Sequence, residues 1–311
     1  MIIYTDDIGY AEHILPPDLE PWVPYETSAA GPNLHRLKKK LFSTRSVFRR
    51  SSDKLGRWPY ALLVKHAPSS HFDHLVALSQ RDVRLPDGIL CLAGSGRKFH
   101  GQGQRSWSAL EGNIHLAVYL SPQRIIKNFH TGFPILVAVS LVDALDAFDS
   151  LKGRANIKWV NDILIDKAKV AGFLIHTQSI ENTVLTAILG IGLNVEKTPR
   201  IKADPFVPKV ASLRNFVQEE SALNQEKVLY QLLLSLEKNY DLLLNGQYDA
   251  LLNSYRKRSL VIGRRVKVMS DAPRNRPGEI AAGTVVGIGE NLELILKGVR
   301  KSVTSGRLIL I

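Results

Sequence analysis

The chain has very little cysteine and no long apolar run, and these two absences exclude several classes of protein. Cys91 is the only cysteine among 311 residues, which excludes a disulfide framework and a zinc site built on paired thiolates. A chain so poor in thiols fits a reducing compartment. The longest apolar candidate, residues 133–148, is interrupted by Ser140, Asp143 and Asp146, whereas a spanning helix needs about 20 predominantly apolar residues. We therefore expect no membrane partner.

Positive charge is missing from the N-terminal end. Residues 1–30 contain six acidic residues and no Lys or Arg, whereas a secretory signal peptide begins with a basic stretch before its apolar run. We therefore expect no secretory signal and predict a cytoplasmic protein. The overall composition, 45% hydrophobic and 23% charged, is that of a soluble globular chain with enough apolar material for a core.

The net charge of +12 is unevenly distributed. Residues 31–57 contain nine Lys or Arg against the single acid Asp53, and the rest of the chain beyond them carries 32 basic and 22 acidic residues. A basic chain indicates an anionic partner, which could be nucleic acid, nucleotide phosphates or an acidic protein. Charge alone leaves these three open.

Residues 1–57 are interpreted as an N-terminal extension, first acidic and then basic. They contain five prolines and show no sustained hydrophobic period. A basic helix could form over residues 34–50, but the second helix of a helix-turn-helix is not found. We favour a solvated arm folded back on its own acidic half, and we expect no nucleic-acid partner.

The rest of the chain divides into two parts. Residues 58–257 alternate strand-like and helical patterns, with strands expected at 61–64, 89–93, 113–120, 157–165, 170–177 and 184–195 and helices at 72–78, 134–148 and 224–244. Residues 258–311 contain short strands separated by Gly, Asn and Pro, which is typical of a small antiparallel barrel. The predicted fold class is α+β, a mixed β-sheet packed with helices plus a small C-terminal β-barrel.

A glycine-rich loop, residues 94–107, follows the predicted strand at 89–93. It contains four glycines and the cations Arg97, Lys98 and Arg105. Glycines allow backbone N–H groups to approach an anion closely. No Gly-Lys-Ser/Thr closes the loop and the glycine spacing is not that of a dinucleotide fingerprint. Taken alone, an exposed turn and a ligand-binding loop are equally good interpretations.

Two further polar segments follow. Lys158-Trp-Val-Asn-Asp162 precedes Lys169-Val-Ala-Gly172, and this pattern fits either two lysines that hold two anions together or a solvated polar hairpin. In Gly190-Ile-Gly-Leu-Asn194, small residues on a predicted strand leave room for a ligand against the sheet.

The order of these segments resembles that of the biotin protein ligase family, within the biotin/lipoate protein ligase superfamily. The resemblance runs from about residue 62 to residue 311, and Ala211-Ser-Leu213 also matches. It implies a class II synthetase-like ligase domain followed by an SH3-like barrel. Residues 1–57 lie outside it and do not resemble the winged helix of some members.

The resemblance implies an ATP-dependent ligase that activates biotin as biotinyl-5′-AMP. Its cofactors would be ATP, biotin and Mg²⁺, and its partner the biotin carboxyl carrier domain whose lysine accepts the biotinyl group; a homodimer is left open. One alternative is a lipoate or octanoate ligase of the same fold. Another is a non-catalytic adenylate-binding regulatory protein whose basic segment binds nucleic acid.

The resemblance also implies roles for individual residues. Lys169, which would contact both the carboxylate and the α-phosphate, and Arg105 would be catalytic, and Asp162 would bind magnesium. The implied substrate- and ATP-binding residues are Ser69, Ser70, His71, Arg97, Gly101, Gln102, Gly103, Trp107, Asn113, Lys158, Trp159, Asn161, Asp162, Gly172, Phe173, Leu174, Gly192 and Asn194.

Three positions depart from the family pattern. Gln102 stands where an arginine is expected, with Arg97 and Lys98 as candidates to supply the missing charge; His71 replaces Asn and His176 replaces Glu. A neutral residue at position 102 should weaken the hold on an acyl-adenylate by about 1.5–3 kcal/mol, the contribution of a hydrogen bond to a charged group.

Overall fold

A mixed β-sheet forms the centre of the molecule, which is known from a computed structural model. The structure describes residues 1–18, 20–25, 32–43, 46–54, 56–81, 83–218, 223–271 and 278–311. The strands of this sheet are β1 (Ile2–Thr5), β2 (Val23–Pro24), β3 (Phe48–Ser51), β4 (Tyr60–Ala67), β5 (Ile89–Gly96), β6 (Ile114–Leu120), β7 (Arg124–Ile125), β8 (Ala155–Lys158), β9 (Asp162–Ile165), β10 (Ala168–Ile180) and β11 (Thr183–Leu193). Their order is β2-β3-β1-β4-β5-β6-β11-β10-β9-β8, and β7 also pairs with β11.

Helices cover both faces of this sheet. They are α1 (Ile8–Ile14), α2 (Pro32–Phe42), α3 (His71–Ser79), α4 (Phe129–Asp146), α5 (Gln225–Leu244) and α6 (Tyr248–Lys257). Successive strand residues point to opposite faces, so Leu63 belongs to the core cluster that includes residues of α1, α4, α5 and α6, whereas its neighbours Leu62 and Val64 belong to the cluster that includes residues of α2 and α3.

A second sheet of four strands lies at the C-terminal end. It is formed by β12 (Arg265–Met269), β13 (Glu279–Ile288), β14 (Leu294–Leu296) and β15 (Arg307–Leu310), in the order β14-β13-β12-β15. Two hydrogen bonds join this sheet to the rest of the molecule. The indole Nε1 of Trp159, which follows β8, donates to the Leu292 carbonyl at 2.6 Å, and Nε of Arg256 in α6 donates to the Ile288 carbonyl at 2.8 Å. The predicted fold class is confirmed.

The interpretation of residues 1–57 as a solvated arm is wrong for the residues that the structure describes. β1 is parallel to β4 and antiparallel to β3, so it is an internal strand of the large sheet. Ile3, Tyr4 and Leu37 are all at most 3% exposed. The basic helix expected over 34–50 is the shorter α2, and β3 follows it. The sequence of residues 1–57 did not reveal this strand because its parallel partner, β4, lies more than 50 residues away in the chain.

Helix α4 is the most apolar helix and lies in the core. Within the described part of the chain it is the one helix long and apolar enough to cross a membrane, but 72% of it is buried inside the protein. A helix that is apolar on all sides belongs in a protein core or a bilayer, and here α5, α6 and the sheet surround it.

Candidate active site

A cleft of about 950 Å³ opens between the large sheet and the C-terminal sheet. Its floor is formed by β6, β10 and β11, and its sides by the glycine-rich loop, the β8–β9 turn and the irregular segment 199–210. Residues after β12 and before β15 complete the rim. The cleft is large enough for a ligand of nucleotide size.

Two glycines of β11 allow aromatic rings to lie directly on the sheet. A Cβ atom at Gly192 would lie 2.4 Å from the Trp107 ring, and one at Gly190 would lie 2.9 Å from the Phe72 ring. Both distances are far below a van der Waals contact. The floor is therefore apolar and flat because these two positions carry no side chain.

The ring of Trp107 is held from below by a neutral histidine. Trp107 Nε1 donates to His115 Nδ1 at 3.4 Å, and His115 Nε2 faces the Leu110 carbonyl at 3.0 Å. Burial lowers the pKa of His115 to about 4, so the imidazole is uncharged at neutral pH and donates from Nε2 while it accepts at Nδ1. This pairing fixes the orientation of the indole at the floor.

Lys169 and Asp162 meet at the β9–β10 hairpin, and Lys158 at the end of β8 is paired with Asp162 along the backbone. In this hairpin Asp162 lies opposite Gly172, and the register shifts between Lys169 and Ala171. Lys169 Nζ lies 2.5 Å from Asp162 Oδ1, and it lies 3.2 Å from where a Cβ of Gly172 would be. The glycine therefore leaves the space that the ammonium group occupies.

The second lysine of the cleft is more deeply buried. Lys158 is 6% exposed and donates to the carbonyl oxygen of Phe206. Burial lowers its pKa, and the nearby charge of Lys169 contributes in the same direction. A cation held in so little solvent interacts strongly with any anion that reaches it.

Segment 199–210 forms the wall opposite the glycine-rich loop. It is held by backbone pairing of Lys169 with Val210 and by Arg307 of β15, whose guanidinium lies 3.5 Å from the centre of the Phe206 ring. Arg307 Nη2 also lies 3.4 Å from Asp204 Oδ2. A residue of the C-terminal sheet thereby joins the cleft.

The described lining of the cleft is positively charged. Six cations face three carboxylates: Lys158, Lys169, Arg105, Arg200, Lys202 and Arg307 against Asp162, Asp204 and Asp271. Fixed excess positive charge in a concave site concentrates anionic ligands.

Most of the residues expected at the site line this cleft. These sixteen are Lys169, Arg105, Ser70, His71, Gly101, Gln102, Trp107, Lys158, Trp159, Asn161, Asp162, Gly172, Phe173, Leu174, Gly192 and Asn194. Burial lowers the pKa of His71 to about 3, so His71 is neutral. Asn194 donates from Nδ2 to the Ala211 carbonyl at 3.1 Å, and its buried Oδ1 has no partner among the described residues.

The other four expected residues lie outside the lining of the cleft. Asn113 is fully buried, and its Oδ1 accepts from the backbone N–H groups of residues 195, 196 and 197, which makes it a support for the turn after β11. Ser69 pairs with His74 at 2.8 Å. Arg97 is exposed, and Gly103 lines a smaller neighbouring cavity.

Sequence reasoning missed the residues that segment 199–210 and the C-terminal sheet bring to the cleft. Asp204, Phe206, Asp271 and Arg307 have no motif around them, and Arg307 reaches Asp204 across 103 positions of sequence. The one available signal was the length of segment 199–210, because loops of about 12 residues without secondary structure are often functional.

Comparisons with known proteins agree with this geometry. Residues 80–194 match the model of the biotin/lipoate A/B protein ligase family. The bifunctional ligase/repressor BirA of Bacillus subtilis is 30% identical over 156 residues, which is 50% of this chain and 46% of BirA. The biotin–[acetyl-CoA-carboxylase] ligase of Mycobacterium tuberculosis is 27% identical over 217 residues, 68% of this chain and 75% of that enzyme. The chain thus spans about half the length of the first of these relatives.

A solved structure shows the same fold. The biotin protein ligase of Aquifex aeolicus, determined in complex with biotin and ATP, superposes with a TM-score of 0.62 over 82% of this chain and 99% of that one, at 20% identity. The segment that matches the biotin/lipoate A/B protein ligase family model contains β5, β6 and β8 to β11, so the likeness falls on the strands that carry the cleft floor and its lysines.

Proposed function

We propose that this protein is a biotin–protein ligase that joins biotin to ATP as biotinyl-5′-AMP and then transfers the biotinyl group to a lysine of a carrier domain. The observation that carries the proposal is the pair Lys158 and Lys169 beside Asp162, placed where an apolar floor meets a positively charged wall. The ligases and complexes similar to this chain support the choice of biotin and ATP.

The first step joins two anions, and the cleft supplies the cations that this step needs. A carboxylate oxygen attacks the α-phosphorus of ATP, a new C–O–P linkage forms and pyrophosphate leaves. Lys169 and Lys158 reduce the repulsion between carboxylate and phosphate, and a preorganised cation in a site that excludes water stabilises such charge strongly. Lys169 is at the centre because its ammonium group is already oriented by Asp162.

The two halves of the cleft suit the two halves of the adenylate. The floor around Gly190, Gly192 and Trp107 is flat and apolar, which suits the fused ring and alkyl chain of biotin. The opposite wall offers the stacked pair of Phe206 and Arg307, an aromatic face next to a cation, which suits a nucleotide.

The residues present also fit a magnesium ion. Mg²⁺ bound with nucleotides is usually held by one or two carboxylates together with phosphate oxygens and waters, and Asp162 is a carboxylate next to the lysines. The described residues contain no cluster of three His, Cys, Asp or Glu, so substrate oxygens would supply most ligands. When bound, the ion would neutralise phosphate charge.

The second step is transfer of the acyl group to an amine. The lysine nitrogen of the carrier domain attacks the acyl carbon, an amide forms, AMP leaves, and the amine loses one proton. Until then the adenylate must be shielded from water, and the glycine-rich loop lies where it can cover the cleft.

Substitution of Lys169 tests the proposal. Lys169→Met should lower the rate of biotinyl-adenylate formation by about 10²–10³-fold, the usual cost of removing one charge-stabilising donor, and should leave the circular dichroism spectrum unchanged. The measurement is pyrophosphate release with biotin and ATP, followed by labelled-biotin transfer to a carrier domain. Lys167→Met, an exposed lysine in the same hairpin, is the matched control. Turnover with lipoate or octanoate and none with biotin would contradict the choice of substrate.

A further inference from the structure

The glycine-rich loop is folded as a small hairpin above the cleft. The first residues of the loop form the end of β5, and the part that projects is residues 99–107. His100 and Ser106 form an antiparallel bridge, the Trp107 N–H donates to the Phe99 carbonyl at 2.9 Å and the Gly101 N–H donates to the Arg105 carbonyl at 2.6 Å. The hairpin is therefore a compact unit held by its own backbone hydrogen bonds.

One side chain of the hairpin reaches helix α3. His100 Nε2 lies 2.9 Å from Asp73 Oδ1, and its Nδ1 lies 3.1 Å from the Gly101 carbonyl. The imidazole side chain is 16% exposed and the Asp73 side chain 46%. This contact joins the hairpin to the helix that borders the apolar end of the cleft.

A second side chain of the hairpin reaches the C-terminal sheet. Arg105 Nη1 lies 3.1 Å from Oδ1 of Asp271, which follows β12, and both side chains are 40% exposed. Both residues line the cleft. An ion pair this exposed contributes little to stability, so it can open and close without unfolding either element.

We propose that Asp73 and Asp271 are positioning residues that hold the hairpin closed across the cleft, Asp73 through His100 and Asp271 through Arg105. Neither aspartate needs to touch the reacting atoms. Together they span the mouth of the cleft, from α3 on one side to the C-terminal sheet on the other. Because Arg105 is held by a residue of the C-terminal sheet, closure also requires that sheet to be docked.

The consequence for the reaction rests on the proposed function. A closed hairpin keeps the acyl-adenylate in the cleft and keeps water away from its carbonyl carbon; with the hairpin open, water attacks that carbon and yields the free acid and AMP. Loss of a clamp should therefore increase escape and hydrolysis of the adenylate. It should have little effect on the half-saturating concentrations of biotin and ATP.

The first measurement does not depend on ligase activity. Trypsin cleaves after Arg97, Lys98 and Arg105, and the cleavage rate of the ligand-free full chain in this loop reports opening of the hairpin. Asp73→Asn and Asp271→Asn should each speed cleavage about twofold to fivefold, and the double variant by about the product, as expected for independent exposed ion pairs. Asp166→Asn is the control. It breaks the exposed ion pair between Arg154 and Asp166, whose Nη2 and Oδ2 atoms are 2.6 Å apart, and neither residue lines the cleft.

The second measurement follows the adenylate with biotin, ATP and no acceptor. We expect both asparagine variants to release AMP faster than wild type by the same factor as in proteolysis, and Asp271→Glu to restore part of the retention. Cleavage rates equal to that of Asp166→Asn would overturn the proposal. Tighter ATP binding by Asp271→Asn without faster cleavage would also overturn it, since Asp271 would then compete with phosphate for Arg105. A wild type that forms no adenylate would refute the proposed function while the proteolysis result stands.

Discussion

At the scale of single residues, Gly192 determines whether the floor of the cleft can exist. A Cβ at this position would lie 2.4 Å from the Trp107 ring, so Gly192→Ala must displace an indole that His115 holds in place. Overpacking of this kind costs about 1–3 kcal/mol. We expect a lower free energy of unfolding in urea and weaker biotin binding by calorimetry. Gly278→Ala, at a glycine with open space around it and no left-handed backbone, is a control for the fold; equal biotin affinity in both variants would contradict the assignment of the floor.

Lys38 is a buried cation on α2 that has no role in the cleft. It is 3% exposed, and its Nζ lies 4.1 Å from the Tyr4 ring centre and 3.8 Å from that of Tyr25. Burial lowers its pKa to about 8, and the charge of Arg49 adds to the effect. Since the lysine of an unfolded chain titrates near 10.4, the unfolded state binds more protons between these two pH values. The protein should therefore become more stable as the pH rises from about 8 to about 10.

Lys38→Met measures this effect directly. The substitution removes the cost of holding a buried ammonium, so at pH 7 the variant should be more stable than wild type by up to about 3 kcal/mol, the free energy that corresponds to lowering the pKa of a lysine from 10.4 to about 8. At pH 9.5 the difference should shrink, because wild-type Lys38 is then mostly neutral in the fold. Burial raises the pKa of Tyr4 and Tyr25, so the facing phenols keep their protons there. A difference that does not change between urea titrations at the two pH values would contradict the prediction.

At the scale of elements, periodic patterns were predicted well and short interruptions were not. The helix expected at 224–244 is α5, Gln225–Leu244, because seven apolar residues at helical spacing leave no strand alternative. The single strand expected at 157–165 is in fact two strands, β8 and β9, joined by a turn. The turn was missed because the alternating apolar pattern that includes Ile157 and Ile163 continues across it. This turn carries Trp159 and Asn161 into the cleft.

The site was predictable where its residues lie in short motifs and not where they meet by tertiary contact. Lys158, Asp162 and Lys169 lie within twelve positions of each other, and two consecutive hairpins, β8–β9 and β9–β10, bring them together. Phe206 and Arg307 meet only because the C-terminal sheet is docked at the cleft. No local pattern encodes that contact.

The glycine-rich loop is the element whose position should depend on pH. Burial opposes a charge on His100, but the hydrogen bonds to Asp73 and to the Gly101 carbonyl and the charge of Asp73 together raise its pKa. His176 of β10 also faces the small cavity beside it, and burial lowers its pKa. A raised pKa means that the contact is fully formed below the unfolded value near 6.5 and is lost as the pH rises through the folded value. Tryptic cleavage within the loop, corrected for the pH dependence of trypsin itself, should therefore be slower at pH 6 than at pH 8.5. The Asp73→Asn variant should lose this dependence; an unchanged profile in it would contradict the role of His100.

At the scale of the whole molecule, the N-terminal residues are part of the large sheet. β1 lies between β3 and β4, and Met1 through its ammonium group donates to the Ser52 carbonyl at 2.7 Å. Leu34, Leu37 and Leu41 of α2 pack in the same cluster as Leu75 and Leu78 of α3. The described residues among 1–57 therefore form one structural unit with the domain that carries the cleft.

This arrangement predicts the result of removing the N-terminal residues. Deletion of residues 1–57 exposes the edge of β4 and the buried side chains that α1 and α2 cover, and an unpaired long apolar edge strand promotes aggregation. We expect the truncated chain to be insoluble or to lose cooperative unfolding. Deletion of an arm that did not pack on the domain would instead leave solubility and unfolding unchanged. A truncated protein that unfolds cooperatively with an unchanged midpoint would contradict the prediction.

Any nucleic-acid binding by the basic half has to be tested in the full chain. The exposed residues Arg36, Lys39 and Lys40 of α2 can be replaced by Gln there, because these side chains point away from the core. Retention on DNA that falls with salt and disappears in this triple variant would establish a basic binding face; equal retention in both proteins would show that these α2 side chains do not bind DNA.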